Sequence, residues 1–126
     1  MKGWVIALDW DGTVDAAGPP STVGPPGPVP LELIRHLCDQ NAVYAIGNQA
    51  MLQLLPGAGS PYGPEIPADG KHKSEALAFL SARFPNPLTR KVVVDDRPDQ
   101  YVGGWGGWHF CPPERFVDFV KAEGGP

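Results

Sequence analysis

Six of the fourteen acidic residues in this 126-residue chain fall into two clusters, Asp9/Asp11/Asp15 and Asp95/Asp96/Asp99. Each cluster follows directly on a short apolar run, residues 4–8 before the first and 92–94 before the second. Carboxylates gathered at close range repel, so such a grouping needs a cation or a carboxyl that keeps its proton. Ligands that are all oxygen select a hard cation, and Mg²⁺ with retained waters fits them. Asp9 and Asp11 are two residues apart, a spacing that points both side chains the same way on an extended segment. One carboxylate can then attack an electrophile while the other gives and takes a proton. Taken singly, Asp15 and Asp99 read more simply as turn formers, the ordinary use of aspartate after a strand.

Buried strands are needed to bring these clusters together. Residues 4–8, 42–46 and 91–94 are apolar without alternation, as expected of strands covered on both faces. A fourth short strand is expected within 103–110. Helical spacing marks 31–39 (Leu31, Ile34, Leu37, Cys38), 49–55 and 74–84 (Leu77, Leu80, Phe84). A last helix opens at Pro112-Pro113-Glu114, with Phe116, Phe119 and Val120 as its apolar stripe. Strands alternating with amphipathic helices predict one α/β domain, a Rossmann-like parallel sheet sandwiched by helices. In such a sheet the strand C-termini share one edge, where ligands bind, so the two acidic clusters should meet there.

Glycine and proline total 32 residues, well above the ordinary share of ~12%. Seventeen of them lie in 18–30 and 56–70, which predicts two surface loops within a folded chain. Net charge is −4 with a pI near 5.2, and no Lys/Arg run offers a footprint for duplex nucleic acid or an anionic membrane. Apolar runs of about five residues fall far short of the ~20 a membrane span needs, and the run at 4–8 is too short for a signal peptide. Cys38 and Cys111 form neither a disulfide framework nor a zinc signature. A cytoplasmic protein with reduced thiols is expected. His36 and His72 read as surface residues. Trp105 and Trp108 are expected to pack between the sheet and the last helix, and Trp10 to face away from its two acidic neighbours.

Residues 5–13, V-I-A-L-D-W-D-G-T, resemble the first motif of the haloacid dehalogenase superfamily, an apolar strand followed by D-x-D-G-T. The resemblance implies that Asp9 is a nucleophile forming an aspartyl-phosphate, that Asp11 is the general acid/base, and that Mg²⁺ bridges Asp9 and the backbone carbonyl of Asp11. Lys73-Ser74-Glu75-Ala76-Leu77 is similar to the family's K-x-x-A-L run, which makes Lys73 the stabilising cation, with Lys71 as its rival. Residues 92–96 resemble the apolar strand that ends in metal-binding carboxylates. Either Asp95 or Asp96 would hold the metal directly and the other through water or Lys73. Asp95-Asp96-Arg97 is also similar to the D-D-R of polynucleotide 3′-phosphatase domains, in which case Arg97 holds substrate; the plainer alternative is that it pairs with a nearby carboxylate.

One motif departs from the family. Residues 42–48 align with a strand ending in (S/T)-G-N, and Ile46 falls at the hydroxyl position. Asn48, or the backbone N–H groups of Gly47 and Asn48, would then supply the phosphate donor. Neither loop is long enough for a cap domain, so the resemblance is to a capless member. Such members act on macromolecules or borrow a neighbouring subunit as cap, which admits a homo-oligomer and a nucleic acid only as a terminal phosphate. The expected function is Mg²⁺-dependent hydrolysis of a phosphomonoester. The alternative is a metal- and phosphate-binding protein with little or no catalysis.

Overall fold

The structure, a computed structural model, describes residues 1–15 and 27–126. Its elements run β1 (Val5–Leu8), β2 (Val14–Asp15), β3 (Val29–Pro30), α1 (Leu31–Leu37), β4 (Ala42–Ala45), α2 (Lys73–Arg83), β5 (Lys91–Val94), β6 (His109–Cys111) and α3 (Pro113–Ala122), with 3-10 turns at Gln49–Gln53 and Pro98–Gln100. Four of the strands form a parallel sheet in the order β4-β1-β5-β6. The chain leaves β1, adds β4 on one side, then crosses back to add β5 on the other. That reversal makes the C-terminal end of β1 a crevice between two diverging connections.

Both faces of the sheet are covered, which is why β1 shows no polar alternation. Ile6 and Leu8 share one apolar cluster with Ile34 and Leu37 of α1 and Phe116 and Val120 of α3. Val5 and Ala7 share the other with Ala76, Leu77 and Leu80 of α2. The helices start where the sequence places their breakers. Pro30 precedes α1 and Pro113 is the first residue of α3, positions where a missing N–H costs no helical hydrogen bond.

Several expectations change in detail. The helix expected over 49–55 is a 3-10 turn at Gln49–Gln53, capped by the Asn48 side chain accepting from Ala50 N–H. Asp15 is not in a turn, since Val14–Asp15 pairs in parallel with Val29–Pro30 as a separate two-stranded sheet. The loop expected over 18–30 lies largely outside the described residues, and its end is this β3. Trp108 and Trp105 join the α2 side of the sheet and not the α3 side. Trp108 is buried, with its indole N–H donating to Ser81 of α2. Trp10 is buried in the opposite cluster, away from the acidic residues on either side of it. Cys38 and Cys111 are free thiols, and burial pushes that of Cys111 up to about 11. Among the described residues no helix is long and apolar enough to cross a membrane.

Candidate functional site

Asp9 and Asp95 are the residues that follow β1 and β5. These strands are hydrogen-bonded neighbours with Leu8 opposite Val94, and the ladder continues through Asp9 N–H to the Val94 carbonyl at 3.0 Å. The alternation that sends Val5, Ala7 and Val93 toward α2 therefore sends Asp9 and Asp95 there too. Both are buried, Asp95 completely. Lys73, the first residue of α2, meets them: its Nζ lies 2.6 Å from Asp95 Oδ2 and 3.4 Å from Asp9 Oδ1. A cation at a helix N-terminus opposes the helix dipole, and Lys73 is only 4% exposed. Two carboxylates facing it offset that double cost. Lys71, the rival, is exposed.

Each carboxylate is further held. Thr13 Oγ1 donates to Asp9 Oδ2 at 3.2 Å. Tyr101 Oη donates to Asp95 Oδ2 at 2.7 Å, and the Arg97 backbone N–H donates to Asp95 Oδ1 at 2.9 Å. The exposed Asp96 packs its carboxylate over Gly12, whose φ of +74° and lack of a side chain both matter, since a Cβ there would overlap Asp96 Oδ2. Oxygens from Asp9, Asp95 and Asp96 all lie within 4.8 Å of one another. This all-oxygen donor set suits a hard divalent cation such as Mg²⁺. Burial, and then the neighbouring Asp95, push the Asp9 carboxyl up to about 8 against the lowering pull of Lys73. A group in this state needs more positive charge before it can ionise at neutral pH.

Asp11 is exposed beside the centre, and its carboxylate accepts from Asn48 Nδ2 at 3.2–3.3 Å. Its side chain is not part of the three-carboxylate group. A cavity of about 680 Å³ opens over Asp9, Asp11, Lys73 and Asp96. Two of the expected phosphate donors are already engaged by protein groups, and of the two alternatives for Arg97 the structure shows the pairing with a carboxylate. The Gly47 N–H is not directed at a phosphate, because it donates to Tyr62 Oη at 2.7 Å. The Asn48 carboxamide is engaged by Asp11 and by Ala50. Arg97 borders the cavity, but its guanidinium makes two bonds to Asp99, at 3.1 and 3.0 Å, in an exposed pair. Asp99 thus serves Arg97 and stands apart from the acidic centre. Ile46, at the position where a hydroxyl is expected, is completely buried in the α2-side cluster.

Two tyrosines in the site carry no sequence signal. Tyr101 is buried, and desolvation together with Asp95 raises its phenol far above the usual range, which keeps it a donor. Tyr62 is half-buried and pushed up to about 12, chiefly by burial. Removing the donor to Asp95 leaves that buried carboxylate short of one charge-assisted bond, worth about 1.5–3 kcal/mol. Tyr101→Phe is expected to lower unfolding stability in urea by that amount at pH 7. A loss below about 0.5 kcal/mol means that this bond contributes nothing to the fold.

Compared with known proteins, the chain matches no family model, no curated protein and no solved structure.

Proposed function

We propose that the chain is a Mg²⁺-dependent phosphohydrolase of phosphomonoesters, built on the haloacid dehalogenase-like core that its D-W-D-G-T segment resembles. The observation that carries this reading is Lys73, buried at the start of α2 between Asp9 and Asp95. Lys73 is desolvated and held between two carboxylates, so a phosphoryl group arriving beside Asp9 would meet a cation already fixed in place. Asp9, Asp95 and Asp96 would hold the Mg²⁺, whose charge offsets the repulsion between these carboxylates and an anionic phosphate.

Each residue then has a task its position supports. Thr13 fixes Asp9 through Oδ2, so the carboxylate meets phosphorus in one orientation. Attack by Asp9 forms its acyl phosphate and breaks the bond from phosphorus to the leaving oxygen. Asp11, steadied by Asn48 at the cavity wall, gives its proton to that oxygen. It then takes a proton from water, whose attack on phosphorus frees inorganic phosphate and restores Asp9. Lys73 lies against the charge that passes between carboxylate and phosphate. Hydrolysis of a generic aryl phosphate with and without Mg²⁺ tests the reading. Turnover that depends on the metal supports it, and metal-independent turnover overturns it.

The position of Asp9 gives a pH dependence whose sign is fixed. Its carboxyl holds a proton up to about 8 in the folded, metal-free protein, and an unfolded aspartate releases one near ~4. The folded state therefore binds more protons between these values, and stability of the metal-free protein falls as pH rises across them. A bound cation must displace that proton, so the rise in melting temperature on adding Mg²⁺ is expected to be larger at pH 8 than at pH 6. A Mg²⁺ effect that is flat or shrinks with pH contradicts the assignment of Asp9 as a ligand.

Ile46 favours a second reading, a metal- and phosphate-binding protein without efficient chemistry, because no hydroxyl ends β4 beside Asp9. Mg²⁺-dependent stabilisation with no turnover of any phosphate ester selects it.

A further inference from the structure

We propose that Ser74, which does not border the cavity, is a positioning residue for hydrolysis: its hydroxyl clamps the turn after Tyr101 to α2 and so keeps Lys73 shared between Asp95 and Asp9. The proposal rests on the phosphohydrolase reading and concerns how Lys73 is divided between its two carboxylates. Ser74 is the second residue of α2. A serine hydroxyl near a helix terminus ordinarily bonds to neighbouring backbone. Here both of its capacities go to a distant segment. Oγ donates to the Gly104 carbonyl at 3.0 Å and accepts the Gly103 N–H at 3.1 Å. The turn is closed by Gly104 N–H, which donates to the Tyr101 carbonyl at 2.9 Å. The approach is close, since a Cβ on Gly103 would sit 3.3 Å from the Ser74 Cβ.

These bonds close a ring. Lys73, one residue before Ser74, places Nζ 2.6 Å from Asp95 Oδ2, and Tyr101 Oη meets the same oxygen at 2.7 Å. The backbone of Tyr101 then leads through the turn back to Ser74. Asp95 Oδ2 thus carries two donors, and the phenol takes up part of the charge that the ammonium would otherwise have alone. That leaves Lys73 able to lean toward Asp9, 3.4 Å away. With Tyr101 withdrawn, the ammonium has a buried carboxylate to itself and offers less to charge developing beside Asp9.

Ser74 is the polar anchor on which this arrangement depends. Val102, between Tyr101 and the clamp, is 85% exposed. The Tyr101 ring meets Trp105 and Phe110 edge-on at 6.0 and 6.1 Å, contacts that set no polar register. The far end of the glycine-rich segment is held by Ser81, which accepts the Trp108 indole N–H at 2.9 Å. Ser74 and Ser81 are seven residues apart, about two helical turns, and so lie on one face of α2. Between the two anchors a cavity of about 140 Å³ separates helix and loop.

The test is a double-variant cycle on kcat and KM for an aryl phosphate with Mg²⁺, using Ser74→Ala, Tyr101→Phe and the two combined. Alanine suits a helix at least as well as serine, so Ser74→Ala keeps α2. Each single variant is expected to lower kcat at least about fivefold with KM within about twofold, the mark of an interaction that serves the transition state. The double variant should fall no more than about twofold below the lower single, because both changes release the same phenol. Ser74→Thr, which keeps the hydroxyl, should recover most of the lost kcat. A smaller fall in either single variant, a double variant whose loss is the product of the two, or a threonine that rescues nothing overturns the proposal and leaves the phosphohydrolase standing. No turnover by the wild-type chain removes the phosphohydrolase reading and this proposal with it.

Discussion

Asp9→Asn is expected to lower metal-dependent turnover of an aryl phosphate by at least a hundredfold while leaving the metal-free fold as stable as wild type. The two halves of this result have one cause. In the metal-free protein the Asp9 carboxyl keeps its proton up to about 8, so a neutral carboxamide of the same shape replaces a neutral group at pH 7. The amide oxygen can face Lys73 in place of Oδ1, and the Thr13 hydroxyl can then accept from the amide nitrogen in place of donating to Oδ2. The carboxamide is, however, a poor nucleophile and a weak ligand for a hard cation. The Mg²⁺-induced rise in melting temperature should therefore shrink along with turnover. Residual activity above a hundredth of wild type sinks the phosphoenzyme, and a melting temperature well below wild type means that Asp9 is structural.

Lys73→Met has the second large effect, and it falls on stability as well as activity. Methionine keeps the length and apolar stem of lysine but leaves Asp95, which has no solvent exposure, without its 2.6 Å partner. Breaking a buried ion pair from one side costs about 3–5 kcal/mol. For a chain of this size that corresponds to a fall of about 10–20 °C in melting temperature. Lys73→Arg should recover little, because Lys73 is 4% exposed and enclosed by Asp9, Asp95 and the Tyr101 ring, and a guanidinium is bulkier than the ammonium they surround. Thermal melts of both variants, with Mg²⁺ and without, check this. A drop in Lys73→Met of under 3 °C removes the buried cation from the account of this site.

What was legible in the sequence follows from how local each signal is. Asp9 and Asp95 follow unbroken apolar strands, and a parallel sheet must bring such strand ends to one edge. Lys73 was separable from Lys71 because the helical spacing of Ala76, Leu77 and Leu80 starts directly behind it. Tyr101 was not legible, since a single tyrosine six residues past Asp95 has no spacing that points back to it. The 3-10 turn Pro98–Gln100 folds it there. Tyr62 is equally silent, because it reaches Gly47 from a loop. D-D-R leaves Arg97 two uses, a substrate contact or a partner for a carboxylate, and Asp99, two residues on, is the carboxylate it pairs with. The short pair β2 and β3 has two residues per strand, too few for any periodicity to show.

The order β4-β1-β5-β6 also determines when in folding the site can exist. Val5 of β1 pairs with Ala42 on one side and with Lys91, 86 positions later, on the other. Every partner of the innermost strand is thus distant in the chain, and loop closure precedes any gain from pairing. During synthesis β1 has no β5 to join until the chain has grown past Val94. Until then Asp9 is a solvated, ordinary carboxylate with neither Asp95 nor Lys73 beside it. Docking of β5 and α2 is the event that desolvates it and raises its affinity for a proton. That docking is therefore a proton-uptake event, and refolding of the metal-free protein between about pH 4 and pH 8 should draw protons from an unbuffered solution.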